Sequence, residues 1–275
     1  MTRSLSLPAV MAGAVVLSLS AQPARAQSHD RSWLDNCREQ ADEDRPRYCE
    51  ERPVAMRVTK QLAVDGGENG GARVTGWDRD SVDVVAHIQA QASTMDAARE
   101  LARRVTVSAA DGTLRAEGPE SHHDASWSVT FDVLVPHASD VRVTTENGPI
   151  GVHGVSGRME LSAVNGPLTI DGAGGDVHGR TKNGPLTVRL SGSRWEGLGL
   201  DAQTTNGPVE IAIPASYSAH LEAGTDNGPM SVGFPITVQG RIGRHISSDL
   251  GSGGATVRAV TTNGPLTISA EGSAR

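Results

Sequence analysis

The sequence predicts an all-β fold: a single-chain β-solenoid with Asn-Gly-Pro corners, preceded by a β-rich segment carrying one helix. Three observations predict it. Asn-Gly-Pro occurs six times, at Asn147, Asn165, Asn183, Asn206, Asn227 and Asn263, at intervals of 18, 18, 23, 21 and 36 residues. A repeat of roughly 20 residues marks a stack of units that cannot bury their apolar faces alone. The copies also align in columns. Three past Asn stand Ile150, Leu168, Leu186, Val209, Met230 and Leu266, and five past stand Val152, Ile170, Val188, Ile211, Val232 and Ile268. Between them lie Gly151, Thr169, Thr187, Glu210, Ser231 and Thr267, so each copy reads as a strand of period two with one buried face. Finally, 3% aromatic content is too little for a broad globular core, and a stacked repeat needs fewer large side chains.

Taken in order, residues 1–26 read as a secretory signal peptide: Arg3, an apolar core "PAVMAGAVVLSLSA", and "ARA" before Gln27. The stretch is too short for a membrane span, and no other segment approaches ~20 apolar residues. Its removal leaves 249 of the 275 residues and, with Arg3 and Arg25 gone, moves the formal charge from −7 to −9. An acidic balance without basic clusters argues against a nucleic-acid partner and against an anionic membrane surface.

Residues 27–53 read as a polar, exposed leader stapled by a Cys37–Cys49 disulfide. Export favours an oxidising compartment, and no further Cys or His lies in the stretch from Cys37 to Cys49 to complete a metal site. Residues 54–140 are a β-rich segment with a helix near 93–105. There Ser93 is the expected cap, with Asp96 three residues on, and Ala97, Leu101 and Val105 share a face. The segment is expected to cover one end of the solenoid, which would otherwise expose a strand edge. Residues 141–270 are the repeats and 271–275 a tail. The last interval, 36, is twice 18, which predicts a coil that has lost its motif.

The corner tripeptide has a direct reading. Asn tolerates left-handed backbone, Gly permits unusual angles, and Pro, lacking an N–H, suits the first residue of a strand. An Asn-Gly hairpin is the competing reading, but hairpins do not need the same corner at a near-fixed interval. Asparagines stacked at one corner can form an amide ladder. The residue before Asn (Glu146, Val164, Lys182, Thr205, Asp226, Thr262) is chemically scattered and expected in solvent. Two before Asn stand Thr145, Thr181, Thr204, Thr225 and Thr261, with Ala163 the break. They read as hydroxyls satisfying corner backbone, or as a flat outward ladder for a regular ligand such as ice.

Here the sequence resembles the bacterial putative-adhesin family, exported β-strand-repeat domains of unknown function. The resemblance runs from Val54 to Ile268, on the Thr-x-Asn-Gly repeats, on "WEGLGLDAQTTNGPVEIAIP" (195–214) and on "DLGSGGATVRAVTTNGPLTI" (249–268). It implies that the solenoid is a parallel one and supplies no catalytic residues.

The remaining chemistry reads as sparse. A carbohydrate-active parallel β-helix, lyase or hydrolase, is the alternative and needs convergent carboxylates. Asp171, Asp176, Asp201, Glu210, Glu222 and Asp226 fall in different repeat columns. His122-His123-Asp124 reads as a solvated loop, His153 and His178 sit at different offsets, and Trp195 reads as packing over a solenoid end. Gly251, Gly253 and Gly254 lack the Lys and helix of a phosphate loop. The expectation is an exported, non-enzymatic, adhesin-like binding or scaffold module in the periplasm, at the cell surface or secreted. It needs no cofactor and no metal, and its partner is a cell-surface glycan or protein.

Overall fold

The computed structural model describes residues 32–40, 45–57, 59, 61–233 and 243–271. The expected signal peptide and the tail beyond 271 lie outside them. The described residues begin with α1 (Trp33–Glu39), capped by Ser32, then β1 (Arg47–Pro53), β2 (Gln61–Asp65), β3 (Gly70–Trp77), β4 (Asp83–Gln91) and α2 (Met95–Arg103). Next come β5 (Thr106–Ala110), β6 (Thr113–Glu117) and β7 (Ser126–Pro136). The repeats follow as strand pairs joined by the corner: β8 (Asp140–Asn147) to β9 (Ile150–His153), β10 (Ser156–Asn165) to β11 (Leu168–Asp171), and β12 (Gly174–Asn183) to β13 (Leu186–Arg189). Then come β14 (Gly199–Asn206) to β15 (Val209–Ile213), and β16 (Ala219–Asn227) to β17 (Met230–Gly233). After β18 (His245–Leu250) come β19 (Thr256–Asn263) to β20 (Leu266–Ala270).

These strands make two sheets of ten, both mixed. One runs β1-β4-β7-β3-β9-β11-β13-β15-β20-β17; the other runs β18-β16-β19-β14-β12-β10-β8-β2-β6-β5. Pairing is parallel through the repeats, with Asn opposite Asn: Asn147 to Asn165, Asn165 to Asn183, Asn183 to Asn206. It is antiparallel at both ends, where β1 meets β4, β4 meets β7, β5 meets β6 and β18 meets β16. The inward columns of both sheets form one apolar cluster running from Leu62 to Ile268. The columns three and five past Asn are buried throughout, except that Met230 and Val232, on the sheet-edge strand β17, are half-buried.

Several expectations are corrected. The 36-residue interval is not two regular coils. β18 folds back antiparallel on β16, and the last pair, β19–β20, inserts between β14–β15 and β16–β17. A similar displacement occurs near the start, where β2–β3 lies between β6–β7 and β8–β9. The leader is not simply exposed: it forms α1 and β1, and the disulfide joining them has both cysteines buried. In α2 the cap is Thr94, whose hydroxyl accepts from the Ala97 N–H, and the buried face is Ala98, Leu101 and Ala102. Leu101 and Val105 are buried as expected, but Ala97 is exposed, because the inward stripe runs Ala98, Leu101, Ala102 and Val105 at helical spacing.

The corner works by a different principle from the one expected. Asp111 is the one non-Gly residue with positive φ among the described residues, so the corner asparagines are not left-handed. The glycines are required by close approach instead. A Cβ on Gly207 would overlap the Gly184 carbonyl, and one on Gly184 would overlap that of Gly166. Main-chain bonds stitch the corner: the Gly184 N–H donates to the Asn206 carbonyl and the Leu186 N–H to that of Pro208 (both 2.9 Å). In a parallel ladder the next carbonyl, that of Gly184, falls to the nitrogen of residue 208, which is proline and cannot donate. The Thr204 hydroxyl donates there instead, at 2.8 Å. Thr181 serves Gly166, Thr261 serves Gly207 and Thr225 serves Gly264 in the same way. The threonines are therefore buried and consumed by the corner, and the outward hydroxyl ladder is absent.

Candidate functional site

Because the strands alternate, each sheet presents its between-columns outward. On the β9 sheet, one outward row runs Asp132, Arg73, Gly151, Thr169, Thr187, Glu210, Thr267 and Ser231 across adjacent strands. A parallel row carries the corner prolines. Where the row reaches Gly151 the face is missing a side chain, and a recess of ≈ 290 Å³ opens over the strand. Pro149 and Pro167 line it with apolar surface, and Arg73, Asp171, His153 and Thr169 with polar groups. The Arg73 side chain is 72% exposed and makes a loose ion pair with Asp132 at 3.7 Å, an acid also 3.6 Å from His87. Across the recess, His153 Nδ1 lies 3.3 Å from an Asp171 oxygen.

The outward face of the other sheet is charged. One column runs Arg142, Glu160, His178, Asp201, Arg258 and Glu222, alternating basic and acidic groups. Arg258 lies 2.6 Å from Asp201 and 3.7 Å from Glu222. Burial works against ionisation of Asp201, but hydrogen bonds from Gln203 and Arg258, with the charges of Arg258 and Arg180, outweigh it. They hold its carboxyl below the ordinary aspartate value. The insertion of β19 creates this order; with β16 directly beside β14, Asp201 would face Glu222, a destabilising like-charge pair.

Sequence reading missed a second arrangement here. His220 Nε2 lies 3.1 Å from Ser247 Oγ, and His220 Nδ1 lies 2.7 Å from Asp249 Oδ1. This is the hydrogen-bond order of an acyl-transfer triad. Its setting differs: the Asp249 side chain is 67% exposed and Ser247 is exposed, so water reaches the row. Preorganised charge is worth far less in such a setting than in a closed site. His220 lies 27 and 29 positions from Ser247 and Asp249 and meets them only through the antiparallel pairing of β16 with β18, which no local motif announces.

The residues singled out from sequence are placed as follows. The six corner asparagines form an unbroken amide ladder. Asn165 donates to Asn147 (2.7 Å), Asn183 to Asn165, Asn206 to Asn183 and Asn263 to Asn206 (each 2.8 Å), and Asn227 to Asn263 (3.0 Å). Asn147 ends it on the Glu68 carbonyl at 2.8 Å. His123 and Asp124 pair at 3.2 Å in solvent. Trp195 is buried, but in the loop between β13 and β14 rather than over an end, and its indole N–H donates to the Gly175 carbonyl at 3.0 Å. Gly251, Gly253 and Gly254 take positive φ in the turn after β18. The acids stand beside basic groups rather than converging: Asp171 by His153, Asp176 by His178, Asp226 by His245, and Asp201 and Glu222 by Arg258. Among the described residues no cluster of three His, Cys, Asp or Glu is placed to hold a metal, and no helix is long and apolar enough to cross a membrane. Gly151 was visible in the sequence as the one glycine in its column; Arg73, outside the repeats, was not.

No protein-family profile matches the chain, and no curated protein matches it. Similar solved structures include one from Clostridium sporogenes described as a putative cell adhesion protein, at 10% identity and TM-score 0.40, covering 82% of this chain and 100% of that one. One from Bacteroides fragilis, described as a putative adhesin, has 13% identity and TM-score 0.37, covering 81% and 97%. One from Parabacteroides distasonis, described as a putative lipid binding protein, has 11% identity and TM-score 0.26, covering 82% and 95%.

Proposed function

We propose that this chain is an exported, non-enzymatic parallel β-solenoid with antiparallel ends, acting as an adhesin-like binding or scaffold module in the periplasm or at the cell surface. The observation that carries this is the outward face of the β9 sheet. Mostly small side chains, interrupted by Arg73 and Glu210, stand there in straight rows at the ~4.8 Å strand spacing, held in register by the asparagine ladder. Such a face is a preformed platform, which lowers the ordering cost of binding. The like-to-like parallel registers support the solenoid reading. The disulfide and the signal-like first 26 residues support export. The partner class is a cell-surface glycan or protein, not nucleic acid.

The test has two arms. Mature protein is screened on a glycan array and by pulldown from cell-envelope extract, and is treated with a fluorophosphonate that labels activated serines. Specific capture without labelling is expected. Labelling at Ser247, or turnover of ester or polysaccharide substrates, would overturn the non-enzymatic reading; absence of any capture would overturn the binding one.

A further inference from the structure

We propose that the recess over Gly151 is a binding subsite for one acidic sugar unit, a ring bearing a carboxylate among its hydroxyls. This rests on the binding reading above and names its ligand. A glycine inside a strand weakens it, and it commonly marks a bulge, a sharp bend, a close backbone approach or a ligand. The first three are absent here. Gly151 keeps regular parallel register with Arg73 on one side and Thr169 on the other, so there is no bulge. Its φ is not positive, and a Cβ built on it would meet nothing within 4 Å. The corner glycines are compelled by their neighbours; this one is not. The space left by its missing side chain is what remains to explain it.

The walls define the ligand. Arg73 carries five donors and spends few on its loose contact with Asp132, leaving a fork for a second carboxylate. Asp171 shares one oxygen with His153, and its remaining acceptor sites suit sugar hydroxyls. Pro149 and Pro167 offer an apolar wall to the C–H face of a ring. A volume of ≈ 290 Å³ lies just below the usual range of ligand pockets, which begins at about 300 Å³, and suits one ring rather than a chain.

The column itself supplies the decisive variant. Thr stands at the equivalent position in β11, β13 and β20, so Gly151→Thr fits the backbone and fills the recess. Wild type, Gly151→Thr and Arg73→Gln are compared on an array of uronic- and sialic-type and neutral glycans, by calorimetry with a uronic-acid trisaccharide, and by urea unfolding. Wild type should prefer acidic glycans. Gly151→Thr should weaken binding at least about 10-fold while its unfolding midpoint holds or rises, and Arg73→Gln should lose about 10-fold of the acidic preference. Undiminished acidic-glycan binding by Gly151→Thr would overturn the subsite and leave the binding module standing. Protein capture with no glycan bound would overturn the sugar assignment alone. No capture of any kind would overturn both.

Discussion

Thr204→Val tests why threonine accompanies every Asn-Gly-Pro but one. Val keeps the shape and burial of Thr204, which is 3% exposed, and removes only the hydroxyl that donates to the Gly184 carbonyl at 2.8 Å. The ladder cannot repair the loss, because the nitrogen facing that carbonyl belongs to Pro208. Leaving a half-buried acceptor without its partner costs up to about 1–3 kcal/mol, against about 0.5 kcal/mol or less for an ordinary surface change. The one unit without threonine supplies the reciprocal variant. Ala163 is 5% exposed and has no hydroxyl to offer the Gly148 carbonyl, which faces Pro167. Ala163→Thr should add one hydrogen bond, worth about 0.5–1.5 kcal/mol. Urea unfolding followed by far-ultraviolet circular dichroism reads both as midpoint shifts of opposite sign at constant slope. If Thr204→Val lies within about 0.5 kcal/mol of wild type and Ala163→Thr is destabilising, the hydroxyl does not stand in for the proline N–H.

Four further outcomes are expected. Gly207→Val should destabilise by clearly more than Thr205→Val, because its Cβ would overlap a backbone carbonyl while Thr205 is in solvent; equal urea midpoints would refute the close-approach corner. Ile211→Ala should cost about 2–5 kcal/mol and Glu210→Ala little, and the reverse order would mean the columns are misassigned. Asp201 has a lowered folded-state value, so its ionisation contributes stability above the ordinary aspartate range that is lost as pH falls through that lowered value. The stability gap between wild type and Asp201→Asn should thus narrow below about pH 4, and a gap unchanged at lower pH would refute the pairing. In exported protein Cys37 and Cys49 should resist thiol labelling until reduced; ready labelling beforehand would refute the staple.

What could be read in advance was whatever a column of like residues encodes. Ile211 inward and Glu210 outward follow from period two alone, and the solvent position of Lys182 follows from the chemical scatter of its column. The role of Thr204 was half legible: hydroxyls near a corner are suggestive, but which carbonyl they serve depends on a proline in the same unit facing a glycine in the neighbouring one. Strand order was not legible. A repeat period says what each unit resembles, not which unit lies beside it. The information that places β19 next to β14 includes one arginine, Arg258, whose two acids come from units at 201 and 222. The recess was hidden for a related reason: Gly151 stood out in its column, but Arg73 reaches it from a strand that precedes the first Asn-Gly-Pro.

The displaced last unit bears on how the molecule would carry mechanical load. β20 is hydrogen-bonded on one flank to β15 and on the other to β17, in parallel register on both. A pull on the C-terminus along the strand therefore loads two ladders in shear at once, whereas an outermost strand could be peeled bond by bond from one. The same placement makes β17 depend on a strand made later, since its sheet partner is β20. Truncation before β19 would strip away the strands that bridge β16 to β14 and β17 to β15, so this end of the stack closes only once the final segment has arrived.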